Sequence, residues 1–248
     1  MAISETAQKN HEELFPNYKS TLKVNDPELI DVFDNFAFDE VLSYGNVDTK
    51  TRLMVILASL IAQQTLSEYK AMLSGALNVG VTPVEVKEIV YQSVPYVGIA
   101  KTFDFIHATN ETLESRGIKL PLEGQATTSP ETRFEKGLAV QKEIFGDMID
   151  KMYQESPANQ LHIQKYLSAN CFGDYLTRNG LDIKTRELLT FSMLLSLGGC
   201  EPQLKGHIQG NINIGNDKEV LLSVVTQLLP YVGYPRTLNA IRCINEVG

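Results

Sequence analysis

Two short stretches of this sequence are nearly identical: VPYVGIAKT at residues 94–102 and LPYVGYPRT at residues 229–237. Their glycines, Gly98 and Gly233, lie 135 positions apart (233 − 98). A repeat at a fixed spacing decides how the whole chain has to be divided. The two stretches therefore predict an internal duplication.

The similarity extends outward from these stretches. At the same offset Asn78 matches Asn213, and further towards the N-terminus DTKTR at 48–52 matches DIKTR at 182–186 with an offset of 134. One residue has therefore been inserted in the second copy. The Gly-Gly-Cys-Glu-Pro bend at 198–202 is the natural place for it.

The repeat divides the chain into four parts. We predict an N-terminal extension at 1–25, a first repeat at 26–117, a connector with a helix at 118–159, and a second repeat at 160–248. We expect the two similar halves to share one core and not to fold as independent domains.

Both halves are predicted to be helical. TKTRLMVILASLIAQQ at 49–64 and KTRELLTFSMLLSLGG at 184–199 are good helix formers with apolar residues on nearly every side, which indicates buried helices. No convincing run of alternating polar and apolar residues suggests a strand. The fold class predicted is all-α, with duplicated helical-bundle units related by a pseudo-twofold axis.

Helix ends can also be predicted. Thr82 and Glu85 have the spacing of a capping box around Pro83, and we expect Asn216 and Glu219 to open the matching helix in the same way. The segment 131–154 is predicted to form one amphipathic helix that ends at Ser156-Pro157.

Composition limits the class of function. A net charge of −8 and a pI near 5.1 argue against nucleic acid or an anionic membrane as the main partner. The first residues are polar, and the longest apolar-rich run, 188–197, is too short to span a bilayer. Three cysteines do not suggest a disulfide framework. We expect a cytoplasmic protein.

The tract TRELLTFSMLLSLGGCEPQLKGHIQGNINIG at 185–215 resembles the carboxymuconolactone decarboxylase family, whose wider superfamily includes alkylhydroperoxidase D. Residues 49–98 look like a second copy of it. The resemblance implies an all-α protein that oligomerises, commonly as trimers or hexamers of single-copy subunits. It also implies a small-molecule substrate.

The redox branch of that superfamily carries C-x-x-C-x-x-x-H with an upstream glutamate, which can close a disulfide and shuttle protons. By this resemblance Cys200, His207 and Glu187 are candidate catalytic residues, but Gln203 stands where the second cysteine would be. The positive N-terminal end of a helix that begins at Pro202 would lower the pKa of the Cys200 thiol, whereas the adjacent Glu201 would raise it. The alternative is that Cys200 is a small buried residue at the bend.

The first repeat lacks this motif. Its matching positions hold Thr65, Glu68 and Met72. The second repeat is therefore expected to carry the site and the first to be scaffold. Alternatively, Gln63, Gln64 and Glu68 form a different polar site.

The lyase branch needs a proton donor and a binding site for a carboxylate. His207 is the candidate donor, Glu187 a group that orients it, and Arg186, Tyr231 and Gln203 are candidate substrate-binding residues. Arg186 also fits a structural ion pair, because its motif occurs in both repeats.

Three functions stay open. The first is a cofactor-free lyase acting on a small carboxylated lactone or related organic acid. The second is a thiol-dependent antioxidant of the peroxiredoxin or alkylhydroperoxidase type acting through Cys200. The third is a non-catalytic oligomeric helical protein. We expect no cofactor and no metal, a homo-oligomer, and no nucleic-acid or membrane partner.

Overall fold

The computed structural model describes residues 2–18 and 20–247, and across these ranges the chain is helical with no strand. The all-α prediction is confirmed. No helix within the described ranges is long and apolar enough to cross a membrane. The α-helices are α1 (Glu5–Leu14), α2 (Leu22–Asn25), α3 (Pro27–Asn35), α4 (Thr49–Gln63), α5 (Leu66–Asn78), α6 (Pro83–Val97), α7 (Ile99–Ser115), α8 (Arg133–Phe145), α9 (Met148–Glu155), α10 (Leu161–Tyr166), α11 (Ile183–Leu197), α12 (Glu201–Asn213), α13 (Lys218–Val232) and α14 (Tyr234–Glu246). Short π-helical segments follow α3 (Phe36–Glu40) and α10 (Leu167–Leu176).

The duplication is visible in the order of the helices. Helices α4 to α7 have the same order as α11 to α14, and each begins 134 or 135 positions before its counterpart. The turn between α4 and α5 contains Gln64 and Thr65, whereas the turn between α11 and α12 contains three residues, 198–200. The inserted residue therefore lies in the bend where the sequence places it.

The core is built around the two central helices α4 and α11. Eleven of the fifteen residues in each are buried, which confirms that both runs form buried helices. The two helices pack against each other, and the Ser59 and Ser196 hydroxyls hydrogen-bond at 2.7 Å where they meet. Both halves therefore contribute to one hydrophobic core. A pseudo-twofold axis relating them stays a prediction.

Helices α1 and α8 dock on their halves in the same way. Asn78 at the end of α5 donates to the carbonyl of Leu14 at 2.8 Å, and Asn213 at the end of α12 donates to that of Ile144 at 2.9 Å. In the predicted division α1 lies in the extension and α8 in the connector. Each half thus acquires an additional helix that the sequence similarity does not reveal.

The predicted capping box at the start of α6 is confirmed, because the Thr82 hydroxyl accepts from the Glu85 amide and the Glu85 carboxylate accepts from the Thr82 amide. The prediction for α13 is wrong. Its N-cap is Asp217, which accepts from the Val220 amide. The Asn216 side chain instead donates to the Lys184 carbonyl in α11 and to Oδ1 of Asn211 in α12.

The prediction of one helix over 131–154 is also wrong. Helix α8 ends at Phe145, and α9 starts at Met148. Gly146 between them has a φ of +61°, a backbone region that glycine enters at little cost. The turn redirects the chain, and α9 then has Ser156 as its C-cap.

The repeated Pro-Tyr-Val-Gly stretch forms the end of α6 and of α13. Pro95 and Pro230 lie inside the last turn of these helices, which continue to Val97 and Val232. A glycine with positive φ follows in each copy and turns the chain into the next helix. The tyrosine of each stretch is thereby held in a helical last turn.

Candidate active site

His207 and Glu187 form a buried pair in the second repeat. The Nδ1 atom of His207 lies 2.7 Å from Oε2 of Glu187. The Glu187 side chain is fully buried, and that of His207 is 13% exposed. The residues are twenty positions apart (207 − 187), and they meet because the 198–200 bend folds α12 back along α11.

An asparagine fixes the backbone beneath this pair. The Asn211 side-chain amide donates to the carbonyl of Glu187 at 3.1 Å and to that of His207 at 2.8 Å. Its oxygen accepts from Asn216 at 2.9 Å. Because all of these groups are paired, the relative position of α11 and α12 is held at the site.

Aromatic rings surround the imidazole. Tyr96 and Phe145 pack edge-on against His207, with ring centroids 6.0 and 5.2 Å away. Gly210 lets α12 pack close to α8 and α11, because a Cβ at this position would lie 2.7 Å from the Ile144 side chain and 3.2 Å from Oε2 of Glu187. The pair therefore lies in an apolar setting that strengthens its electrostatic interaction.

Two further polar groups lie beside the pair. Burial raises the pKa of the Cys171 thiol to about 12. Burial, and then the neighbouring Cys171 and Glu187 groups, raise the pKa of the Tyr96 hydroxyl well above its usual value. The Cys171 sulfur lies 3.9 Å from the Tyr96 oxygen. Both groups are thus neutral at physiological pH, and the tyrosine keeps a proton that it can donate.

Tyr231, a predicted substrate-binding residue, does not lie beside His207. It packs on Phe33 in the first half, with ring centroids 6.1 Å apart. Tyr96 reaches His207 because α6 of the first repeat crosses onto α11, where Gln92 donates to the Arg186 carbonyl at 2.7 Å. The tyrosine near His207 therefore comes from the other repeat, which similarity within one repeat cannot indicate.

Arg186, the second predicted substrate-binding residue, is a fully buried ion-pair partner. One Nη atom bonds to Oε2 of Glu88 at 3.0 Å, and the other bonds to Oε1 of Gln92 at 3.0 Å. The carbonyls of Arg178 and Asn179 accept from it as well. This arrangement matches the structural interpretation of its sequence motif.

Cys200 and Gln203 lie apart from the histidine pair. Cys200 is the N-cap residue of α12, its sulfur donates to the Leu194 carbonyl at 3.2 Å, and no hydrogen bond joins it to His207. Burial and then Glu201 raise the pKa of the thiol. Gln203 is exposed.

The other cysteines do not change this arrangement. Cys171, Cys200 and Cys243 are all free thiols. In the ranges 2–18 and 20–247 no group of three or more histidine, cysteine or acidic side chains is placed to hold a metal ion.

Sequence similarity to known proteins identifies the family of this chain. The profile of the carboxymuconolactone decarboxylase family matches the chain twice, at residues 27–111 and 162–246. The 4-carboxymuconolactone decarboxylase of Acinetobacter baylyi is 29% identical over 118 residues, which cover 47% of this chain and 87% of that protein. Since the family profile covers well over half of the sequence, this chain belongs to the carboxymuconolactone decarboxylase family, in a form with two copies in tandem.

Proposed function

We propose that this protein is a cofactor-free decarboxylase-like lyase for a small carboxylated lactone or a related organic acid, with His207 as its proton donor. The observation that carries the proposal is the buried contact of 2.7 Å between His207 and Glu187. The family match and the named function of the Acinetobacter baylyi relative support the same reaction class.

The pair suits a reaction that ends in protonation of carbon. Loss of carbon dioxide leaves an electron pair that a positioned acid must protonate. Glu187 holds Nδ1 of His207, which leaves Nε2 to face the substrate. Oε1 of Glu187 is buried without a hydrogen-bond partner among the described residues, so it is free to accept a proton or a substrate group.

Tyr96 adds a donor to this site. Its hydroxyl stays protonated for the reason given above, and its ring edge contacts the imidazole. A neutral hydroxyl in an apolar setting can hydrogen-bond to a lactone or carboxylate oxygen without adding negative charge. We therefore assign Tyr96, and not Tyr231, to the substrate side of His207.

A thiol-dependent antioxidant activity is the second candidate, because Cys200 occupies the first cysteine position of the redox motif. The raised pKa of its thiol works against it, since the thiolate is the nucleophile. The place of the second cysteine is taken by an exposed glutamine.

The test is release of carbon dioxide from 4-carboxymuconolactone by the purified protein. We expect His207→Gln to lower kcat by about 10²–10⁴-fold, as for loss of a general acid. Glu187→Gln should lower kcat by a smaller factor, because Glu187 acts mainly by positioning the imidazole. His107→Gln, which changes a histidine on α7, is the matched control and should keep wild-type activity.

Cys200→Ser separates the two candidates. In the lyase it keeps its decarboxylase rate, whereas loss of a saturable peroxide-reducing activity in this variant would establish the antioxidant function instead. A wild-type protein with no release of carbon dioxide above the uncatalysed rate would refute the assignment of this substrate. A His207→Gln variant as active as the wild type would refute the assignment of the proton donor.

A further inference from the structure

The two repeats contain matching buried arginines with different partners. Arg52 in α4 matches Arg186 in α11 (186 − 134), and their relative exposures are 6% and 0%. The Nη atoms of Arg186 bond to Glu88, Gln92 and two carbonyls. Arg52 forms no hydrogen bond or ion pair with any residue in the described ranges. The Nε atom is buried without a described partner in both arginines, so the difference lies in the Nη atoms.

The difference follows from a substitution between the repeats. Glu88 of α6, the counter-ion of Arg186, is matched by Ser223 of α13 (88 + 135). The Ser223 hydroxyl donates to the carbonyl of Glu219 in its own helix. Gln227, which matches Gln92, donates to the carbonyl of Val41, and its Oε1 atom has no described partner. The first repeat has kept the guanidinium and lost its carboxylate.

A guanidinium in this position stays positively charged. Burial lowers the pKa of Arg52, but an arginine does not lose its proton in a protein. A buried charge without a partner is unfavourable. An anion that bonds to the free Nη atoms would therefore be favoured at this place.

Other polar groups with no described partner lie around Arg52. Tyr231 interacts electrostatically with Arg52, Glu68 and Asp34, and its hydroxyl forms no hydrogen bond with a described residue. The exposed Glu13 carboxylate favours the charged form of Arg52, but it is not within ion-pair distance. Asp34 and Glu68 are not within that distance either, and burial raises the pKa of both of these carboxyls. The groups come from α3, α4, α5 and α13 and converge on one region of the first repeat.

Aromatic rings pack beside the Tyr231 end of this region. Phe33 packs edge-on against Tyr231 and against Phe38, each with centroids 6.1 Å apart. The positions that match Glu187 and His207 hold Leu53 and Met72, which are both buried. A cation and a hydroxyl in such surroundings suit binding, whereas the acid–base pair of the second repeat is missing.

We propose that the first repeat contains a second binding site, distinct from His207, for a small organic carboxylate with a flat unsaturated body. Arg52 is the counter-ion of its carboxylate, through the paired N–H groups that suit this partner. The Tyr231 hydroxyl is a second donor, and the Phe33 ring contacts the body of the ligand. The site binds the ligand without transforming it.

Benzoate is the probe, and benzamide is its uncharged counterpart. Binding to the full chain is measured by calorimetry and by the shift in melting temperature, at constant ionic strength with chloride as the balancing anion. We expect wild type to bind benzoate and not benzamide. Arg52→Met should weaken benzoate binding by about 10- to 100-fold, the effect of a charged hydrogen-bonding group. Arg242→Met removes an exposed arginine and is the matched control, which should bind as wild type.

Ser223→Glu restores the carboxylate of the other repeat. Gly45 lies against Ser223 as Gly180 lies against Glu88, so the larger side chain would meet a glycine backbone in both repeats. This variant should melt at a higher temperature without ligand and should no longer bind benzoate. If it does not fold, Arg52→Met still tests the proposal.

His207→Gln distinguishes this site from the proposed active site, and it should bind benzoate as wild type does. Equal binding of benzoate by wild type and Arg52→Met, or binding lost in His207→Gln and kept in Arg52→Met, would overturn the second site. The same holds if wild type binds neither probe or binds both equally. None of these results depends on whether the protein releases carbon dioxide from a lactone.

Discussion

Replacing Glu88 by glutamine should strongly destabilise the fold. The Glu88 side chain is 1% exposed and lies between two arginines, accepting from Arg178 at 2.9–3.0 Å and from Arg186 at 3.0 Å. The neutral amide keeps the size of the side chain, but it removes the only carboxylate that the Arg186 guanidinium contacts among the described residues. Its NH₂ group would also face donors.

The magnitude follows from the burial of the pair. Removing one partner of a buried ion pair costs about 3–5 kcal/mol, because the other charge stays uncompensated. For a chain of this size the melting temperature falls by about 2–4 °C per kcal/mol. We therefore expect Glu88→Gln to lower it by roughly 6–20 °C.

Urea unfolding followed by far-ultraviolet circular dichroism at pH 7 measures this cost, at one fixed protein concentration. Glu111→Gln is the control, since Glu111 pairs with Lys70 at 3.5 Å and both side chains are largely exposed. It should cost less than about 1 kcal/mol. If Glu88→Gln costs no more than the control, Arg186 does not need its carboxylate, and the argument for a ligand at Arg52 loses its basis.

Three other outcomes are expected. Gly210→Ala should destabilise the protein by about 1–3 kcal/mol, because its Cβ would lie within 3 Å of α8 side chains. Gly206→Ala in the same helix meets nothing within 4 Å and should stabilise the protein by about 0.4–1 kcal/mol. Equal effects of the two variants in urea unfolding would contradict this. Alkylation of Cys200 by iodoacetamide should be slow at pH 7, because the pKa of its thiol is raised. The rate should increase only as the pH rises past the usual pKa of a thiol. A fast rate at neutral pH would instead show a thiolate. Phe103 and Leu238 are exposed apolar residues at matching positions of α7 and α14, 135 positions apart (238 − 103). We propose that they lie in a homo-oligomer interface. Changing both to Asp should lower the mass measured by light scattering, and an unchanged mass would exclude this face.

The sequence alone was sufficient for the fold class and the duplication. Helix-forming runs with apolar residues on every side can only be buried helices, and the repeated 48–52 and 94–102 motifs set the register of the two copies. The Thr82 capping box can be predicted from the sequence, because its hydrogen bonds join residues only three positions apart. At the start of α13, both Asn216 and Asp217 are residues that can cap a helix. Which of the two becomes the N-cap depends on the conformation of the turn, and it is Asp217.

The tertiary structure decided which side chains meet. His207 and Glu187 were predicted as candidates, but their contact depends on how the bend folds α12 onto α11. Tyr96 reaches His207 from the other repeat, because α6 packs across the central helices. The different surroundings of Arg52 and Arg186 likewise depend on distant residues, since Glu88 contacts Arg186 from α6 and Ser223 stands at the matching position of α13. Similarity between repeats identifies matching positions, whereas charge compensation and proton transfer depend on distances that only packing sets.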